Sequence, residues 1–246
     1  QMASFVLMMK AREKSRRIFK QNVKLNILAI IESNNLDLDG LKTILATNQQ
    51  EEKEIELITY LFQDAKNYGS LLTPPKIKYE KYLSRIDNLG EVQVSIDNII
   101  AYDQLKDFKE ILKQSIVLSS LYDVVITNPP YMGNRGMNKL LKEYVKKNYN
   151  KSNFDLYAAF IERINDLTET YGINSSITQH SWMFLSSFED LRKYILNHCT
   201  ILNLVHLGSK AFDDIGGEVV QTSSQTFRKI AVPNYNSAFI RLVDYN

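Results

Sequence analysis

Apolar positions along the chain recur with two different periods, and the alternation between those periods predicts the fold. Residues 2–21 place Phe5, Met8, Met9 and Arg12 at helical spacing among strong helix formers, so they read as a helix. From Val23 to Ile31 the pattern becomes an apolar run rich in branched residues, closed by the turn-like cluster Glu32-Ser33-Asn34-Asn35. That is the profile of a strand buried on both faces. Residues 36–68 and 76–120 return to a charged, helical pattern, broken by Gly69 and Pro74-Pro75. Tyr122 to Thr127 reads as a second buried strand, which must end before the two prolines that follow it. Beyond it the pattern predicts helices over Leu140 to Tyr149 and Asp155 to Tyr171, the latter capped by Gly172. A strand over Ile173 to Thr178, a helix over Phe188 to Asn197 and a strand over Ile201 to Leu207 come next. Val219 to Phe227 and Ala238 to Val243 read as a terminal hairpin. Strands alternating with helices imply an α/β fold with a mostly parallel sheet. Ligands of such folds sit beyond the carboxyl ends of the strands. Glu32-Ser33, Asn128 to Tyr131 and the segments after Thr178 and Leu207 would then share one edge.

Composition narrows this picture only a little. The chain has 246 residues, 44% of them hydrophobic and 24% charged, so it is long enough to bury a core as one large domain or two small ones. A net charge of +2 does not mark a nucleic-acid binder, so any grip on a polyanion has to be local. Cys199 is the single cysteine, which excludes an intramolecular disulfide and a cysteine-cluster metal site. His180, His198 and His206 lack metal spacing with acidic partners, and no metal is expected. No apolar run reaches the length of a membrane span. Lys10 and Arg12 follow the apolar stretch Phe5 to Met9, the wrong order for a signal peptide, and a cytoplasmic location is the expectation. The chain opens inside a helical pattern without a capping signal, which leads us to expect a polypeptide that continues upstream.

The chemistry concentrates in Asn128-Pro129-Pro130-Tyr131, directly after a strand. Proline fixes φ and has no N–H, and the residue before a proline is held extended. The loop is therefore stiff, and it offers two acceptors, Asn128 Oδ1 and the Pro129 carbonyl, beside an aromatic face. An exocyclic amine on a planar ring, such as an adenine flipped out of a duplex, satisfies all three. Accepting both amine hydrogens draws the nitrogen lone pair out of conjugation and makes it a better nucleophile toward a methyl sulfonium. Tyr131 would stack on the base, an interaction of roughly 1–3 kcal/mol. Alone, such a tetrapeptide is equally a rigid turn or a polyproline ligand. The strand in front of it favours the catalytic reading, because a buried strand is no place for a partner-binding peptide.

Tyr122 to Tyr131 resembles the catalytic motif of amino-methylating DNA methyltransferases. The stretch Pro130-Tyr131-Met132-Gly133-Asn134-Arg135-Gly136-Met137-Asn138 resembles one branch of them, the large PglX-type adenine methyltransferases of BREX phage-defence systems. Ala3 to Arg12, Tyr68 to Leu72, Ser152 to Arg163 and Gly216 to Thr222 resemble further segments of that branch, so the resemblance spans most of the chain. It implies a Rossmann-like methyltransferase fold with a helical insertion over about residues 36–118 and transfer of a methyl group from S-adenosylmethionine to adenine in DNA. It also implies DNA as partner, with other defence-system subunits beside it. Asn128, Pro129, Pro130 and Tyr131 take the catalytic positions.

Three features depart from that branch. Its glycine-rich cofactor loop and the acidic residue after it have no counterpart here, so the chain reads as a partial catalytic domain in which only Glu32 and Ser33 fall near the cofactor, where a solvated turn is an equal reading. An aromatic residue expected after Gln221-Thr222 to sandwich the base is replaced by Gln225, so either Phe227 shifts into the role or the sandwich is weakened. The long target-recognition region is missing. Lys139 and Lys142, within a cluster that includes Lys146, Lys147 and Lys151, are candidates for DNA phosphate contacts, with a solvated helix face as the plain alternative. His180 and Trp182 are candidates for lining the pocket, and Asp155 for capping the helix that it opens. A sheet short of its first strands exposes an edge prone to pair with another chain, so self-association is expected. Methylation of RNA or of protein glutamine, and a non-catalytic interaction role, remain as other readings.

Overall fold

A computed structural model describes residues 2–21, 23, 25–89, 99–209 and 221–243. Five strands make one mixed sheet: β1 (Tyr122–Thr127), β2 (Thr168–Gln179), β3 (Thr200–Gly208), β4 (Thr222–Arg228) and β5 (Ala238–Arg241). Their spatial order is β1-β2-β4-β3-β5. β1 runs parallel to β2 and β5 parallel to β3, while β4 lies antiparallel between β2 and β3. Helices α8 (Leu156–Leu167) and α9 (Glu189–His198) pack on this sheet. Tyr157, Ile161, Trp182, Leu191, Ile195, Leu204 and Phe227 form the core between them. The α/β class stands as the pattern predicted, but the sheet is mixed rather than mostly parallel, because β4 pairs antiparallel with both of its neighbours.

Ahead of the sheet, α2 (Leu38–Leu45), α3 (Gln49–Leu61), α4 (Ala65–Tyr68), α5 (Glu80–Asn88) and α6 (Ile99–Ser119) share a core of their own around Leu41, Ile55, Phe62, Tyr82, Phe108 and Leu112. Side-chain caps set two of the starts, with Asp37 accepting from Gly40 N and Asn48 from Glu51 N. Glu51 is buried there against Arg85, at 2.6 and 3.0 Å. α7 (Lys139–Asn148) links the two halves.

Five further expectations change. Val23 to Ile31 is not a strand in its described residues. Its backbone finds no neighbouring strand, and a side chain takes that place: Gln114 Oε1 accepts from Ile31 N at 3.2 Å and Gln114 Nε2 donates to Ala29 O at 2.9 Å. β1 is a strand but not a buried one, because it is the sheet edge; Val124 is 57% and Ile126 76% exposed. The first helix, α1, covers Met2–Lys14 only, and a short 3-10 turn follows at Ile18–Lys20.

α8 stops at Leu167, four residues before the expected end, where the Thr168 hydroxyl turns back onto Ile164 O. Gly172 is no cap. It lies in a bulge of β2 beside Tyr171, which has φ 69°, and the pairing with β1 shifts there. A Cβ at Gly172 would meet the Asp123 and Glu169 carbonyl oxygens at 2.9 Å, so close backbone approach is what requires the glycine. Finally, β4 and β5 form no hairpin with each other. β4 fills the gap between β2 and β3, so β5 adds to the free edge of β3. Val219 and Val220, assigned to that hairpin, lie outside the described residues.

Candidate active site

β1 delivers Asn128 to Tyr131 to the carboxyl end of the sheet, level with Ser176 and Ile177 of β2. Asn128 and Pro130 are exposed and Pro129 is buried. Neither the Asn128 side chain nor the Pro129 carbonyl is engaged by a described residue. Both acceptors of the loop are thus available to a ligand.

The loop is clamped from behind. Asp155, the N-cap of α8, accepts from Met132 N at 3.0 Å and from Tyr157 N at 3.3 Å through the same oxygen. Met132 O accepts from Leu156 N at 3.0 Å, and Asn134 N donates to Phe154 O at 3.2 Å. Burial raises the Asp155 carboxyl above its ordinary range, against the pull of these backbone donors. Tyr131 is half-buried. Its hydroxyl donates to Ile177 O at 3.4 Å, and its ring packs edge-on to Tyr157 at 6.0 Å. Burial also pushes the Tyr131 phenol upward, which keeps it neutral. An unengaged acceptor pair, with Asn128 exposed, beside a fixed neutral aromatic ring is a preorganised arrangement for a planar amine.

The other expected residues fall out differently. Lys139 and Lys142 stand exposed in the first two turns of α7, with no ion-pair partner among the described residues. Cations near a helix N-terminus oppose the macrodipole by about 0.3–1 kcal/mol each, so helix stability does not explain them. Asn138 caps this helix by accepting from Leu141 N at 2.8 Å, and donates to Asn67 Oδ1 at 2.6 Å.

Ser33 is buried at the end of α3. Its hydroxyl donates to Thr59 O and its N–H to Phe62 O. Glu32 pairs with Lys66 at 3.4 Å. The structure therefore ties both residues to the helical half rather than grouping them with the catalytic loop. Phe227 cannot sandwich a base. It is buried in the core, edge-on to Trp182 at 6.1 Å, and pairs with Asn174 and Ile201, well back from the carboxyl edge. Gln225 is buried too, bonded to Ser176 and Thr178. His180 does reach the edge, where it bonds to His206. That pairing spans 26 residues and has no signal in local spacing.

Ser33 is committed to Thr59 and Phe62 and Glu32 is ion-paired with Lys66, so neither of these two residues fits a role in holding S-adenosylmethionine.

A mixed sheet with one antiparallel strand between parallel ones, carrying an Asn-Pro-Pro-Tyr loop at its carboxyl end, defines a protein of the restriction-modification methylase class. The family model described as the Eco57I restriction-modification methylase matches residues 1–212, and the chain belongs to that family. It is 34% identical to the adenine-specific methyltransferase BrxX of Escherichia coli O9:H4 (strain HS), over 100% of this chain and 22% of that one. It is 34% identical to the adenine-specific methyltransferase PglX of Lacticaseibacillus casei (strain Zhang), over 100% of this chain and 20% of that one. Among solved structures, the DNA-complexed Type ISP restriction-modification enzyme LlaGI, a nuclease-deletion mutant, aligns at a TM-score of 0.39 with 17% identity, over 57% of this chain and 16% of that one. The chain spans about a fifth of the length of the curated relatives it matches.

Proposed function

We propose that this chain supplies the adenine-binding and adenine-activating part of an S-adenosylmethionine-dependent DNA methyltransferase that modifies the exocyclic amine of adenine. The observation that carries the reading is the clamped loop with two unengaged acceptors at the carboxyl end of β1. Asn128 Oδ1 and the Pro129 carbonyl accept the two amine hydrogens. The amine lone pair is thereby freed from the ring, while Tyr131 holds the base by stacking. Lys139 and Lys142 hold phosphates flanking the flipped nucleotide. The bound cofactor supplies a methyl group already activated as a sulfonium, so the loop needs no strong base. DNA is the substrate in this reading.

The test is transfer of a labelled methyl group to duplex DNA by the full-length protein and by Asn128→Ala. Asn128 is exposed, so the variant folds normally, and its rate falls by about 100-fold or more, as for loss of one preorganised polar contact. Transfer by Asn128→Ala within about threefold of the native rate would sink the proposal.

A further inference from the structure

The carboxyl edge carries a second arrangement that amine activation leaves unused. His180 follows the last residue of β2, and His206 of β3 lies across β4 from Thr178 by way of Ser223. His180 Nδ1 and His206 Nε2 are 2.9 Å apart, a hydrogen bond between the two rings. Phe184, 57% exposed, packs edge-on to His180 at 4.9 Å. The main chain is fixed as well, with His180 N donating to Gln221 O at 3.0 Å. The next residue ties this unit to the loop: Ser181 Oγ and Tyr157 OH are 2.9 Å apart, and the Tyr157 ring is the one that packs on Tyr131. Burial, and then the nearby His206, hold the His180 imidazole below its ordinary range. In an uncharged pair one hydrogen lies between the rings, and the two outer nitrogens are then one donor and one acceptor.

Adenine needs such a group. Once Asn128 and Pro129 take both amine hydrogens, the polar atoms left on the base are ring nitrogens, all acceptors. The loop cannot answer them, because Pro129 and Pro130 have no N–H. We propose that His180, held by His206 and Phe184, is a substrate-contacting residue of the same site, whose Nε2–H donates to an acceptor ring nitrogen of the flipped adenine. This rests on the adenine reading above.

The experiment pairs protein variants with base analogues in the full-length protein. Duplexes carry adenine, 1-deazaadenine or 7-deazaadenine at the target position, and kcat/KM is measured for the native protein, His180→Ala, His180→Gln and His206→Ala. The native protein loses about tenfold when the contacted nitrogen becomes CH, the scale of one hydrogen bond. His180→Ala loses a similar factor on adenine and nothing further on that analogue. His180→Gln, which keeps an N–H donor, recovers part of the loss, and His206→Ala falls between. Because each variant is compared with itself on two substrates, a partly folded variant still gives a usable ratio. Losses that multiply for both analogues, or a His180→Ala variant as active as the native protein, overturn the contact and leave the adenine reading standing. A native protein that methylates no adenine, or an active Asn128→Ala, overturns the adenine reading and this contact with it.

Discussion

Arg163 offers the sharpest test of how the two halves are joined. It lies on α8, only 3% exposed, and among the described residues no carboxylate lies within ion-pair distance of it. Its guanidinium instead serves three backbone carbonyls from two distant segments. Nε donates to Ser70 O at 2.9 Å, and Nη2 donates to Leu72 O and Leu118 O, both at 2.7 Å. Burial lowers its pKa, but an arginine remains charged. Arg163→Met keeps the length of the stem and removes every donor. Three hydrogen bonds from a charged group contribute roughly 1.5–3 kcal/mol each, or about 4.5–9 kcal/mol in all. Removing a buried cation returns its desolvation, several kcal/mol. The net expected loss is about 2–5 kcal/mol, which for a chain of this size lowers Tm by roughly 4–20 °C. Arg163→Lys recovers only part of it, because one ammonium cannot span the carbonyls that a planar fork reaches. Urea and thermal unfolding of the three proteins measure this. A methionine variant within about 0.5 kcal/mol of the native chain would show that the carbonyls do not depend on the guanidinium.

Replacing Lys139 and Lys142 together by Ala lowers the slope of log K against log salt for duplex DNA by about 1.8, at 0.9 per phosphate contact, while replacing Lys146 and Lys147 leaves it unchanged; filter binding from low to moderate salt reads both. The Glu51 carboxyl is held well below its ordinary range, first by Arg85 and then by Thr47 and Lys81, against desolvation. A depressed folded pKa gives stability that is present above the unfolded pKa and lost as pH falls through the folded one, so Glu51→Gln flattens the loss of stability below about pH 4, as acid unfolding followed by circular dichroism will show. Ile126 is 76% exposed on the edge strand, and Ile126→Lys reduces self-association of this chain in sedimentation velocity if β1 is the surface through which copies pair.

Local pattern revealed most of the secondary structure and the loop itself. β1 and β3, with α7 and α9, coincide with their apolar runs within a residue, while β2 begins at Thr168, ahead of its run and inside the segment read as helix. Those runs are local, and two prolines after a strand have few other uses. Several of the misses share one cause, which is a partner far away in the chain. Val23 to Ile31 has the composition of a strand, yet Gln114, 83 residues on, takes up the Ile31 N–H that a strand neighbour would have bonded. β5 reads like half of a hairpin, but the edge of β3 was the one left open. Phe227 has the right residue type for a base sandwich, and only the register of β4 shows it to be core. Ser33 looks like a loop residue at the functional edge until Thr59 and Phe62 are seen to hold it. The His180–His206 contact escaped for the same reason.

The same long-range contacts explain why the helical half bears on the site at all. Its segment from Asn67 to Leu72 turns at Gly69, whose φ of 57° favours glycine, and presents successive carbonyls outward. Tyr144 of α7 and Tyr149, the residue that ends it, both donate to Leu71 O, at 3.2 and 2.6 Å, and Tyr68 stacks on Tyr144 at 4.3 Å. Arg163 of α8 takes Ser70 O and Leu72 O on either side. Asn67 holds Asn138, the cap of α7. One short strap therefore fixes α7, which carries Lys139 and Lys142, against α8, whose Asp155 clamps the catalytic loop. In the proposed reading, residues that touch neither ligand thus join the helix that would contact phosphates to the one whose cap braces the base-binding loop. Loosening the strap would then weaken phosphate binding and amine activation together, although Asn128 and both lysines stay in place, because a misplacement of about 1 Å is enough to cost 100-fold in rate.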